Sequence, residues 1–151
     1  MKTILSHIAA LITGATLKGK PTHALAPNAS LMQLGDLGRD GDIQFDSMTP
    51  FVMEKQFERF VAKAGDLVFR GRGAGIAVTV MSEVDIPIIV ASPLMIIRPD
   101  HKQVDSNYLA WALTTEDARR HYAQYARGSA KLSINIPMSP RSMKFERTIT
   151  T

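Results

Sequence analysis

Lys63-Ala-Gly-Asp-Leu-Val-Phe-Arg-Gly-Arg-Gly-Ala-Gly75 places a turn, an apolar strand and an arginine-bearing glycine loop in immediate succession. Gly65-Asp66 is a turn dipeptide, and Leu67-Val68-Phe69 is β-branched or aromatic enough to read as a core strand. The strand is expected to deliver Arg70 and Arg72 to an edge, where their forked donors match phosphate oxygens or the O6/N7 edge of guanine; a salt bridge to a neighbouring carboxylate is the structural alternative. Gly71, Gly73 and Gly75 carry no Cβ, so another molecule can approach their amides closely. The glycines lack both the GxGxxG spacing before a helix and the lysine of a phosphate-binding loop, which disfavours ATP or NAD.

Upstream of this stretch, Ile4 to Ile12 fits a helical period, while Ala9 to Thr13 fits a strand equally well. Ala15 to Ser30, with Gly19, Pro21, Pro27 and Asn28, reads as a contact loop that opens on Lys18 and Lys20. Leu31 to Leu34 reads as a short strand stopped by Gly35-Asp36, with Asp36 a turn cap. Phe51 to Phe60 is either an extended connection or a short helix. Downstream, Ile76 to Met81, Ile86 to Ala91 and Leu94 to Ile97 read as strands; the second is apolar enough to be buried on both faces, and Arg98-Pro99-Asp100 closes the third.

The period then changes. Asp105 or Ser106 caps a helix that carries Leu109 and Leu113 one turn apart, and Thr115 caps a second with Glu116 and Asp117 in its first turn. Gly128-Ser129 ends that second helix, and Leu132 to Ile136 reads as a last strand before Pro137 and Pro140. Tyr108, Trp111, Tyr122 and Tyr125 fall at helical spacing, where core packing outweighs base stacking as a reading. Ser129 near His121 lacks any nucleophile-elbow context.

At 151 residues and 45% hydrophobic, the chain suits one α/β (α+β) domain with its own core. It has no cysteine, and His7, His23, His101 and His121 show no ligand spacing, so neither a disulfide framework nor a metal or other cofactor is expected. No run of about eighteen apolar residues and no signal-peptide pattern occur, so a soluble cytoplasmic protein without a membrane partner is expected. The net charge of +4 favours anionic partners. Arg127, Lys131, Arg141, Lys144 and Arg147 face only Glu146, which marks a positive surface or a solubilising tail near the C-terminus.

Four segments, in order, resemble the target recognition domain of type I restriction-modification specificity subunits. They are Leu5 to Gly14 with Thr16 and Lys18; Leu31-Met-Gln-Leu-Gly-Asp-Leu37 with Gly41-Asp-Ile43; Gly65 to Gly73; and Tyr108-Leu-Ala-Trp-Ala-Leu113 leading to Ala126-Arg-Gly-Ser-Ala-Lys-Leu-Ser133. The resemblance implies a recognition domain over residues 4–136, with a curved, partly barrel-like sheet and flanking helices near 106–127. It also implies a non-catalytic role in host defence, reading a short duplex sequence for a partner methyltransferase subunit and a restriction subunit. Family members carry long conserved helices; residues 137–151 are too short and too rich in Ser, Thr, Arg and Pro to replace them, so a truncated form with a basic irregular tail is expected.

Within that resemblance, Lys18, Lys20, Arg127 and Lys131 are the candidate phosphate contacts, and Arg70 and Arg72 the candidates for base edges. Two rivals stand beside it. One is a protein-interaction module or inactive relic that self-associates or binds a partner through its helices. The other, a small enzyme acting on a phosphorylated ligand, lacks a paired acid and base at credible spacing.

Overall fold

A computed structural model describes residues 1–18, 26–71, 76–123 and 134–143, with the backbone alone at Arg141. In chain order the elements are β1 (Lys2–Ile4), α1 (Leu5–Ile8), β2 (Ala9–Thr13), β3 (Ala29–Met32), β4 (Thr49–Phe51), β5 (Val61–Ala62), β6 (Leu67–Arg70), β7 (Ala77–Val80), β8 (Ile88–Val90), β9 (Met95–Pro99), α2 (Ser106–Leu113), α3 (Glu116–Ala123) and β10 (Asn135–Pro137). Short 3-10 helices cover Leu34–Asp36, Phe45–Ser47, Lys55–Phe60 and Pro140–Met143.

One four-stranded sheet has the order β2-β9-β6-β7 and is antiparallel throughout. A second has the order β4-β3-β8-β5, with β3 and β8 parallel. The first and last strands, β1 and β10, form a separate antiparallel ribbon. The mixed α/β class is as expected, but the sheets do not close into a barrel.

Strand alternation explains the layering. Leu67, Phe69 and Ile97 pack with Leu109 and Leu113 under the helices. Their strand neighbours Val68 and Ile96 point the other way, onto Met32, Ile88 and Val90 of the second sheet. On that sheet's far side, Leu31 and Ile89 meet Phe51, Phe57 and Phe60. Both sheets are therefore covered on both faces, which is why β6, β8 and β9 read as nearly unbroken apolar runs. Burying Leu67, Val68 and Phe69 completely contributes roughly 1.5–3 kcal/mol for each side chain.

The helix caps form where short-range polarity places them. The Asp105 carboxylate accepts from the backbone N–H groups of Asn107 (2.8 Å) and Tyr108 (3.1 Å), and Thr115 Oγ1 accepts from Ala118 N at 3.3 Å. Asp36 is a turn cap as expected, accepting from Gln33 N at 2.8 Å and from the Ser47 hydroxyl.

Three elements differ from the sequence reading. Ala9 to Thr13 is the strand that one of the two readings offered, but Ile4 to Ile12 is not one helix: a single helical turn, α1, separates β1 from β2. The third downstream strand continues through Arg98 and Pro99 because Arg98 has an internal carboxylate partner, Asp66. Beyond residue 136, Pro137 still pairs with Lys2 and accepts a hydrogen bond from the Tyr108 hydroxyl, while the Ser142 carbonyl accepts from Asp105 N at 2.7 Å. Residues 137–143 thus pack on α2.

Tyr122 of α3 lies against Phe69, with ring centroids 5.4 Å apart, and its buried hydroxyl has no hydrogen-bond partner among the described residues. Burial pushes its pKa well above the ordinary tyrosine value. Because the folded-state pKa is raised, this contribution to stability is complete below the unfolded pKa of about 10 and is lost as pH rises above it. Tyr122→Phe is therefore expected to be neutral or stabilising by up to about 1 kcal/mol at pH 7, since an unpaired buried hydroxyl is removed. It should also flatten the alkaline limb of a pH series of chemical denaturation; an unchanged limb would place the alkaline sensitivity elsewhere.

Candidate nucleic-acid interface

The polypeptide leaves the first sheet at Thr13 and joins the second at Ala15, which bridges Ala91 in parallel. Thr16, Leu17 and Lys18 follow on the outer side of the second sheet. The 3-10 helix Lys55–Phe60 lies on the same side, and between the two is an open groove of about 690 Å³. Its floor is aromatic: Phe51 and Phe57 meet edge-to-face at 5.1 Å, with Phe60 beside them. Its lips carry Thr16, Lys18, Glu54, Gln56 and Arg59.

The short helix is held at both ends. Phe57 N donates to Glu54 O at 2.9 Å, Met53 N donates to Asn28 Oδ1 at 2.6 Å, and Val61 enters β5 directly. Three residues per turn sort its side chains into rows. Phe57 and Phe60 form the inward row and pack on the second sheet. Gln56 and Arg59 form the groove row, and Lys55 and Glu58, both exposed, form the third. The Arg59 guanidinium sits 4.5 Å from the centre of the Phe60 ring, a cation–π contact.

A second groove, of about 660 Å³, separates the 39–42 turn from α2 beside the outer edge of β7. It carries Arg39 and Arg119 against Asp40 and Asp42, so its charge is balanced. Trp111 lines it at 49% exposure, with its ring 5.7 Å from that of Tyr108. Tyr108, by contrast, is buried, as a core role requires.

Of the six residues singled out in the sequence, Lys18 is exposed on the lip of the first groove. Arg70 corrects an expectation. Its strand β6 lies inside the sheet, and alternation turns the side chain to the face that Val68 also occupies, leaving the residue 7% exposed. Its Nη1 donates to Leu37 O at 2.6 Å, while Nε and Nη2 are buried without a partner among the described residues. Among the described residues no carboxylate pairs with Arg70, and the guanidinium ties the segment after β3 to the sheet through a carbonyl. Lys20, Arg72, Arg127 and Lys131, like Tyr125, lie outside the described residues.

Glu54, Gln56 and Arg59 were not among the sequence candidates. The period-3 repeat of Phe57 and Phe60 is the signal that places the polar row between them. Among the described residues, no group of three His, Cys, Asp or Glu side chains is placed to hold a metal ion, and no helix is long and apolar enough to cross a membrane.

No protein-family model matches the chain, and neither does any curated protein. Among solved structures, the chain is similar in fold to the crystal structure of the HsdS subunit from Thermoanaerobacter tengcongensis, with a TM-score of 0.63 and 16% sequence identity. The match covers 93% of this chain and 33% of that one, so the chain spans about a third of the length of that subunit.

Proposed function

We propose that this chain is a non-catalytic, sequence-specific double-stranded DNA recognition domain of the type I restriction-modification specificity kind. The observation that carries the reading is the likeness to the HsdS subunit over 93% of the chain. The four sequence segments that resemble the same family support it independently of the fold. In this reading the domain directs a modification methyltransferase subunit, and through it a restriction subunit, to a short duplex target.

Lys18, Lys20, Arg127 and Lys131 contact phosphates, and Arg72 reaches a base edge. Arg70, buried on the Leu37 carbonyl, holds the segment after β3 rather than touching DNA. A lone domain offers roughly 600–1,000 Å² of interface, so binding is weak until dimerisation or the methyltransferase adds contacts. With four phosphate contacts, log K falls with log[salt] at a slope of about −3.6, or about 150-fold in affinity between 50 and 200 mM salt. Fluorescence anisotropy on a duplex across that range measures the slope, and a constant affinity would overturn the reading.

The second reading, a protein-interaction module working through α2 and α3, draws on Trp111, half-exposed in its groove. Retention of duplexes from a randomised library at low salt, with enrichment of a motif, supports DNA recognition. Absence of retention at low and moderate salt supports the module.

A further inference from the structure

We infer that the 3-10 helix Lys55–Phe60 is a base-reading element of this domain, with Gln56 and Arg59 as specificity-determining residues and Lys18 as the phosphate contact on the opposite lip. This rests on the DNA reading above and names where on the molecule the sequence is read.

Chemistry separates a base-reading surface from a phosphate-binding one. Phosphates accept hydrogen bonds only, so a surface built for them needs donors alone. The groove instead mixes an acceptor (Glu54), a group that both donates and accepts (Gln56) and a forked donor (Arg59). That is the set that distinguishes base edges: an amide pairs with adenine N6/N7, a guanidinium with guanine O6/N7, and a carboxylate with cytosine N4. Glu54 also repels a phosphate from its end of the groove, which leaves Lys18 and Thr16 to hold the backbone on the other lip.

Geometry agrees. Gln56 and Arg59 are three residues apart on one row of a 3-10 helix, about 6 Å of rise, which is roughly two base-pair steps at 3.4 Å each. Phe57 and Phe60 fix the rotation of that row by packing down onto the second sheet, where they form the groove floor beside it. The Phe60 ring restrains the Arg59 guanidinium through its face, which leaves the in-plane donors for a base edge. Both side chains are exposed, so they are accessible without rearrangement.

The test is selection from a randomised duplex library by the full chain and by Gln56→Ala, Arg59→Ala and Lys55→Ala, with thermal melts confirming that each variant is folded. The wild-type protein is expected to enrich a short motif. Gln56→Ala and Arg59→Ala should each relax a different position of that motif, the two lying one to three steps apart, with discrimination there falling about 10- to 100-fold. Lys55→Ala, on another row of the same helix, should leave the motif intact. Gln56→Glu, which exchanges an adenine partner for a cytosine partner, should shift preference at its position.

If wild type enriches a motif that the Gln56 and Arg59 variants keep, the inference falls and the DNA reading stands. Uniformly weaker binding with an unchanged motif and a shallower salt slope would make Arg59 a phosphate contact and overturn its role. If wild type enriches nothing, the DNA reading and this inference fall together.

Discussion

Arg98→Ala is expected to lower folding stability by about 3–5 kcal/mol, more than half of what a marginal domain possesses. Arg98 grips Asp66 with two donors, Nε to Oδ1 at 3.0 Å and Nη2 to Oδ2 at 2.8 Å, and Nη2 also reaches Val61 O at 3.3 Å. These bonds join β9 to the turn that launches β6 and to β5. The two partners differ in burial: the Asp66 side chain is 3% exposed and that of Arg98 34%. Removing Arg98 leaves a buried carboxylate with one backbone donor, Lys63 N at 2.8 Å, and no neutralising charge. Removing Asp66 leaves a guanidinium that can turn to water, so Asp66→Ala should cost less, about 2–3 kcal/mol, mostly for the vacated Lys63 N–H and the lost tie. Urea denaturation of both single variants and the double variant measures the asymmetry. Equal costs would mean that burial does not set the penalty, and a loss under about 1 kcal/mol for Arg98→Ala would make the pair dispensable.

The same pair shows why some of the fold was legible in the sequence and some was not. Features set within a few residues could be read directly: Asp105 and Thr115 cap their helices because their side-chain oxygens reach N–H groups two or three positions on. Leu67-Val68-Phe69 and Ile88-Ile89-Val90 are strands buried on both faces because nothing in them tolerates water. Features set by distant partners could not be read that way. Arg98 looked like the end of a strand because its carboxylate lies 32 residues away. Arg70 looked exposed because the carbonyl that receives it, that of Leu37, is 33 residues away.

The candidate site was legible on one lip only. Lys18 stood out as a cation in a glycine- and proline-rich loop. Gln56 and Arg59 did not, because the segment 51–60 reads as either an extended connection or a short helix, and neither separates a three-residue period. Once the 3-10 rows are known, Phe57 and Phe60 on one side and Gln56 and Arg59 on the next follow from spacing alone.

Gly14→Ala is the second change expected to have a large effect, about 3 kcal/mol or more, although it adds a single methyl group. A Cβ at this position would lie 2.5 Å from both the Ala91 carbonyl carbon and the Leu94 oxygen, and 2.6 Å from Ser92 N. All three are backbone atoms, so no side chain can rotate away, and the strain falls at the upper end of overpacking costs. The close approach holds the two sheets together. Gly14 N donates to Leu94 O, Ala15 N to Val90 O and Ser92 N to Ala15 O, each at 2.9 Å. Through these bonds, the chain that ends β2 in one sheet is captured by the end of β8 in the other. The stretch from Thr13 to Lys18 is also one wall of the candidate groove, so any shift that relieves the clash moves Thr16 and Lys18 relative to Gln56 and Arg59. A chemical denaturation curve should show the loss of stability. At temperatures where the variant is still folded, duplex selection should show a blurred motif, whereas Tyr122→Phe, on α3 against Phe69, should leave the motif intact. Full stability in Gly14→Ala would mean that the sheets can separate at this point without cost, and a sharp motif in a destabilised variant would mean that the wall does not position the reading residues.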